Sequence, residues 1–88
     1  MRKVTKTYLK IVEAFIKLHA TITIRAMNCY NNKCRYMFIR ITHDDLVLDI
    51  DIMPSRVTVW NSLTAKDCND DFTLSLEELD VYLKTFED

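Results

Sequence analysis

The chain has 88 residues, of which 49% are hydrophobic and 28% charged, and its net charge at pH 7 is −1. A chain of this length builds one domain with one modest core, and this composition is that of a globular rather than a disordered protein. It contains no apolar run of the roughly 20 residues that a membrane-spanning helix needs. We therefore predict a single soluble domain over residues 1–88, with no membrane as partner.

The cysteine count and the charge distribution add two expectations. Three cysteines are too few for a disulfide scaffold, so we expect a cytoplasmic protein with reduced thiols. Residues 1–40 carry nine Lys or Arg and one acid, a net charge of +8, whereas residues 41–88 carry three Lys or Arg and twelve acids, a net charge of −9. Such a division is typical of nucleic-acid-binding or acidic-mimic proteins. We favour mutual neutralisation, because a sheet that interleaves the two halves brings the opposite charges together.

The first predicted element is an amphipathic helix over residues 5–19. Apolar residues recur there at steps of three and four, and lysines with Glu13 occupy the other side. The apolar positions are Tyr8, Ile11, Val12, Phe15 and Leu18. Thr5 is the predicted N-cap.

Four stretches with period-two alternation follow and predict β-strands. The stretches are TITIRAM (21–27), RYMFIRIT (35–42), LVLDIDIM (46–53) and RVTVW (56–60). Between the first two lies Asn31-Asn32, which we interpret as a two-residue hairpin loop, because asparagine tolerates positive φ better than any residue except glycine. This loop pairs apolar residues on one sheet face: Ile22 with Ile41, Ile24 with Ile39, and Ala26 with Met37.

The next turns extend the same aliphatic face. A loop at Asp44-Asp45 pairs Ile41 with Leu48, Ile39 with Ile50, and Met37 with Ile52. A turn at Pro54-Ser55 adds Val57 and Val59 to that face. The sheet is therefore predicted to be a four-stranded antiparallel meander.

The last predicted element is a helix over residues 75–86. Ser75 is the N-cap, and Glu78, three residues on, completes a capping box. This helix and the first helix are predicted to cover the aliphatic face of the sheet. The result is a two-layer α+β domain of order αββββα, with both terminal helices on one face of the sheet.

The cysteines and histidines are candidate disulfide or zinc residues. In the predicted register Cys29 and Cys34 face each other in a non-hydrogen-bonded pair and point away from the core. We expect them to be reduced. A zinc site needs about four ligands, and Cys68, His19 and His43 lack the spacing of a zinc motif. We predict no metal and no cofactor.

The acidic stretch DCNDDFTLSLEE, residues 67–78, resembles an EF-hand calcium loop. The residues that match loop positions one, three, five and twelve are Asp67, Asn69, Asp71 and Glu78. Loop position six requires glycine for a sharp turn, and Phe72 stands there. We therefore interpret the stretch as an acidic loop that leads into a capped helix.

Asp49 and Asp51 on one strand face are candidate ligands for a metal in phosphoryl chemistry. Arg40 falls opposite Asp49, and Arg25 lies diagonal to both, so we expect cross-strand ion pairs instead. The sequence also lacks an arrangement of Ser or Cys with His that would indicate a nucleophile. We predict no catalytic residues and no enzymatic activity.

The outer face of the sheet is the predicted binding surface, because large apolar residues fall where solvent favours polar ones. Its predicted partner-binding residues are Arg25, Met27, Tyr36, Phe38, Arg40, Met53 and Trp60. The expected anchors are Tyr36, Phe38 and Trp60, since aromatic side chains give large contact areas.

These features predict a small non-enzymatic adaptor or inhibitor, encoded by a phage or virus, that binds a protein partner or a second copy of itself through this face. The first alternative is single-stranded nucleic acid, with bases stacked on Tyr36 and Phe38 beside Arg25 and Arg40. The aspartates on the same face argue against it, because they repel phosphates. The second alternative is that the acidic segment Asp67–Asp80 mimics nucleic acid.

Overall fold

The computed structural model describes residues 3–31, 33–61 and 71–86. Its elements are α1 (Lys3–Ile16), β1 (Thr21–Tyr30), β2 (Lys33–His43), β3 (Leu46–Ile52), β4 (Arg56–Asn61), β5 (Asp71–Ser75) and α2 (Leu76–Lys84). The strands form one antiparallel sheet in the order β1-β2-β3-β4-β5. The predicted α+β class and antiparallel sheet are confirmed, but the sheet has five strands rather than four.

The fifth strand is the part of the acidic stretch that pairs with β4. Val57 lies opposite Leu74 and Val59 lies opposite Phe72. Phe72 and Leu74 thus extend the aliphatic face by one strand. The interpretation of residues 71–75 as the end of an acidic loop is wrong. Phe72 and Leu74 alternate with polar residues as in a strand, but this alternation is short and directly follows the acidic residues.

Both predicted two-residue loops are confirmed. Tyr30 pairs with Lys33 across the first turn, and His43 pairs with Leu46 across the second. Asn31 and Asp44 take φ of 49° and 51°, the left-handed conformation that such turns need. The register between β2 and β3 is the predicted one throughout.

Two bulges change the predicted register of β1 against β2. Ile24 pairs with Ile39 as predicted, but the register then shifts, so that Ala26 pairs with Phe38 and Met27 with Met37. A bulge inserts one residue into one strand, which moves every later side chain to the other face. The predicted pairing of Ala26 with Met37 is therefore wrong.

Helix α1 begins at Lys3, before the predicted N-cap Thr5, and ends at Ile16. Its end is a Schellman motif. The N–H of Ala20 donates to the carbonyl of Phe15 at 3.2 Å, and the N–H of His19 donates to the carbonyl of Ile16 at 3.0 Å. His19 has φ of 58°, at the position that glycine usually occupies.

Helix α2 begins with the predicted capping box. The Ser75 hydroxyl accepts from the Glu78 N–H, and the Glu78 carboxylate accepts from the Ser75 N–H, each at 3.2 Å. The two helices lie side by side and run in the same direction, since Lys10 contacts Asp80 at 2.8 Å and the rings of Phe15 and Phe86 are 5.0 Å apart.

The core lies between the helices and one face of the sheet. α1 packs on β2 and β3, and α2 packs on β4 and β5. The buried apolar residues are Val4, Ile11, Phe15, Met37, Ile39, Ile41, Leu48, Ile50, Ile52, Val57, Val59, Leu79 and Leu83. The predicted inner residues of β2, β3 and β4 are confirmed, whereas Ile24 on β1 is 43% exposed, because α1 packs above its neighbours.

Ile39→Ala tests this core. Ile39 is fully buried at the centre of the cluster. Its truncation is expected to lower the free energy of unfolding by about 2–5 kcal/mol, since it leaves a cavity between α1 and the sheet. Urea unfolding measures the change, and Val81→Ala on the exposed side of α2 is the control, expected within about 0.5 kcal/mol of the wild type. An unchanged midpoint for Ile39→Ala would contradict the assigned register.

His19→Gly tests the strain at the end of α1. The substitution is expected to stabilise the fold by about 1 kcal/mol, because glycine adopts the left-handed conformation without a clash. Glu13→Gly, in the exposed middle of the same helix, is expected to destabilise the fold by a similar amount. Thermal unfolding distinguishes the two signs, and a loss of stability in both variants would show that His19 carries no strain.

Candidate binding surface on the outer sheet face

Side chains from β2, β3 and β4 form the centre of the outer face. Phe38, Asp51 and Thr58 are directly paired, so they lie in one row across the sheet. Arg40, Asp49 and Trp60 form the next row. Both described helices pack on the opposite, inner side, so neither covers these two rows.

An aromatic pair occupies the middle of this face. The rings of Phe38 on β2 and Trp60 on β4 lie 6.1 Å apart at an interplanar angle of 80°, an edge-to-face arrangement. Both residues are half-buried. The pair spans β3, so the two rings meet above the strand that carries Asp49 and Asp51.

Asp49 forms a two-point ion pair with the residue opposite it. Arg40 Nε donates to Asp49 Oδ1 at 2.7 Å, and Nη2 donates to Oδ2 at 3.0 Å. Asp49 is only 9% exposed, between Arg40 and Trp60 in the register. The hydrogen bonds raise the pKa of Arg40 above its ordinary value. The predicted cross-strand ion pair between these residues is confirmed.

Asp51 accepts a hydrogen bond from the Tyr36 hydroxyl. This hydrogen bond, with desolvation and the negative charge of Asp51, raises the pKa of Tyr36 to about 12. The phenol is therefore held protonated and directed across the sheet toward β3. Periodicity could not show this contact, because Tyr36 and Asp51 lie in different rows of the register.

The remaining predicted binding residues, Met53, Arg25 and Met27, do not all lie beside the aromatic pair. Met53 is half-buried at the end of β3, where its N–H donates to the carbonyl of Arg56 at 3.0 Å. Arg25 is exposed at the first bulge. Met27 is 52% exposed, but it pairs with the core residue Met37, so its predicted place beside Tyr36 on the outer face is wrong. The bulge at Arg25 is the reason.

Cys29 and Cys34 form a disulfide across the first hairpin, with Cα atoms 4.0 Å apart. Two expectations about these residues were wrong. They are joined rather than reduced, and Cys34 packs against the core instead of pointing away from it. The second bulge, where Arg35 is the extra residue, inverts the alternation that the prediction used.

The calcium-loop resemblance is only partly within the described residues, since residues 62–70 lie outside them. Phe72 and Thr73 belong to β5, and the Glu78 carboxylate serves the capping box. Within the described ranges, no three His, Cys, Asp or Glu side chains are grouped to hold a metal ion. Cys68 and the first four residues of the acidic segment Asp67–Asp80, residues 67–70, also lie outside the described residues.

None of the helices in the described part of the chain is long and apolar enough to span a membrane. The chain matches no protein-family model, no curated protein and no solved structure. The cytoplasmic location, the phage or viral origin and the lack of enzymatic activity therefore stay predictions, and the geometry of the outer face carries the functional argument.

The pKa of Tyr36 tests the contact with Asp51. Asp51→Ala is expected to lower it from about 12 toward the ordinary value of about 10, whereas Asp45→Ala in the exposed second turn leaves it unchanged. Because folding raises the pKa of Tyr36, its protonated phenol contributes fully to stability below pH about 10, its unfolded pKa. This contribution is lost as the pH rises from about 10 through about 12. NMR titration of the Tyr36 ring measures the pKa, and a wild-type value near 10 would exclude the contact.

Proposed function

We propose that this chain is a small protein-binding module, an adaptor or inhibitor, whose outer sheet face docks on a protein partner. The pair of Phe38 and Trp60 forms the centre of the contact, and Tyr36 and Met53 lie toward one end. The observation that carries the proposal is this aromatic pair on a face that neither described helix covers. Aromatic residues at the centre of a patch are the usual anchors of protein interfaces.

The polar groups of the face support docking by a protein. Arg40 with Asp49 and Tyr36 with Asp51 satisfy one another within the face. A partner that covers Arg40 and Asp49 therefore leaves neither charge unpaired, and an unpaired charge is the main cost of burying charges in an interface. Rows of side chains on paired strands also lose little conformational freedom on binding.

The same contacts weigh against single-stranded nucleic acid on this face. Two carboxylates lie beside the aromatic rings, where they repel a phosphate backbone, and Arg40 already holds one of them in two hydrogen bonds. Nucleic-acid-binding sheets combine stacking rings with available cations. A protein partner fits this pattern of charge better.

Photo-crosslinking tests where a partner docks. A photo-reactive benzoyl-phenylalanine at position 38 is expected to crosslink a specific protein in an extract of the native host. The same residue at Val81, which is 68% exposed on α2 and away from the sheet, is the control and is expected to give no such product. Equal crosslinking from both positions would contradict docking through the outer face.

Alanine substitutions then measure the anchors against the purified crosslinked partner. Phe38→Ala and Trp60→Ala are each expected to weaken binding by about 2 kcal/mol or more, about 30-fold, whereas Val81→Ala leaves it unchanged. Calorimetry at two salt concentrations gives the affinity. A single-stranded oligonucleotide is titrated in the same way and is expected not to bind. Affinity for it that falls steeply with salt would identify nucleic acid instead. Wild-type affinity in both aromatic variants would refute the proposal.

A further inference from the structure

Strand β1 forms one edge of the sheet. It pairs with β2 on one side, and within the described residues no strand pairs with its other side. Nine of its ten residues are exposed. An edge strand presents unpaired backbone N–H and C=O groups, which are a template for a further strand.

The inner side of β1 extends beyond the helical layer. α1 packs on β2 and β3, which leaves Ile24 43% and Met27 52% exposed on the side of the sheet where their partners Ile39 and Met37 are buried. These two side chains continue the aliphatic core past the edge of α1. A strand added beside β1 would place its own apolar side chains against them.

The hairpin of β1 and β2 is basic. Residues 14–43 contain no Asp or Glu. Arg40 is paired with Asp49 from β3, while Arg25, Lys33 and Arg35 are exposed. At the tip of the hairpin lies a cavity of about 340 Å³, and its described lining residues are polar or phenolic: Asn28, Tyr30, Asn31, Lys33 and Arg35.

We propose that β1 binds an extended acidic segment of a partner protein, which adds to the sheet as a sixth strand. Backbone hydrogen bonds hold the segment, alternate apolar side chains pack on Ile24 and Met27, and its carboxylates face Arg25 and the cationic tip. This site is separate from the pair of Phe38 and Trp60, so it is independent of the proposed function.

Charge selects this occupant over a second copy of the chain. Two copies joined through β1 would bring two hairpins of the same positive charge together, and like charges across a strand pair are destabilising. The exposed charge of Arg25 also disfavours indiscriminate edge pairing. An acidic segment turns the same arginine into a favourable contact.

Selection from a phage-displayed library of random twelve-residue peptides tests the inference with the full-length chain as bait. Peptides that alternate acidic and apolar residues are expected to be enriched. A synthetic peptide of the selected sequence is expected to slow hydrogen exchange at β1 amides and to lose binding when alternate peptide nitrogens are methylated, since methylation removes the strand hydrogen bonds. No enriched sequence, or a neutral or basic one, would overturn the proposal.

Charge-reversal variants locate the peptide by calorimetry. Met27→Glu and Lys33→Glu are each expected to weaken binding at least tenfold. The matched controls Val81→Glu and Lys6→Glu, both at exposed helix positions, are expected to stay within twofold of the wild type. Loss of binding in Phe38→Ala but not in Met27→Glu would place the peptide on the outer face and overturn strand addition, while leaving the proposed function intact. A dimer of the chain alone, seen by sedimentation and abolished by Met27→Glu, would show that a second copy occupies the edge.

Discussion

The register of the sheet depends on left-handed backbone conformations that this chain reaches without glycine. His19, Asn31 and Asp44 each take positive φ at a reversal of the chain direction, between α1 and β1, β1 and β2, and β2 and β3. The left-handed region costs a non-glycine residue about 1–2 kcal/mol, and asparagine and aspartate are the residues that enter it most readily after glycine. Because the two hairpin loops have only two residues each, their geometry fixes the pairing next to each turn. Together with the two bulges, that pairing determines which side chains share a face.

The two faces use their side chains differently. The inner face excludes water and consists of aliphatic residues that stack under the helices, so its stability comes from burial. The outer face carries the ion pair of Arg40 with Asp49 beside two aromatic rings. An ion pair that already exists costs less to cover than two separate charges, so this face suits the proposed docking. The edge strand β1 combines features of both faces, since it has apolar side chains without cover and cations without a described acidic partner on its own hairpin.

The sequence predicted those parts of the fold that depend on local signals. The alternation around Ile39 and Ile50, the Asn31 and Asp44 turns and the Ser75 capping box each have a signature within a few residues, and the structure contains them. The bulges at Arg25 and Arg35 have no such signature, because an arginine in a strand looks the same whether or not it has a partner. The misplaced Met27 and the orientation of Cys34 follow from those bulges. The exposure of Ile24 depends on where α1 lies across the sheet, which no local signal indicates. Strand β5 is short and directly follows acidic residues, so its alternation was not recognised. For the candidate surface, the sequence predicted the ion pair of Arg40 and Asp49 by register. The contact of Tyr36 with Asp51 is diagonal, and the register does not indicate it.

The side-by-side packing of α1 and α2 has a consequence for synthesis of the chain. Each strand pairs with its neighbour in sequence, so the meander is free to zip up hairpin by hairpin from contacts of short sequence separation. The helices contact each other across most of the chain, through Lys10 with Asp80 and Phe15 with Phe86. The aliphatic face over β4 and β5 is therefore without cover on the ribosome until Leu79 and Leu83 have emerged. Chaperones that recognise exposed aliphatic surface can bind the nascent chain during that interval. A chain that pauses before α2 has emerged is most prone to aggregate.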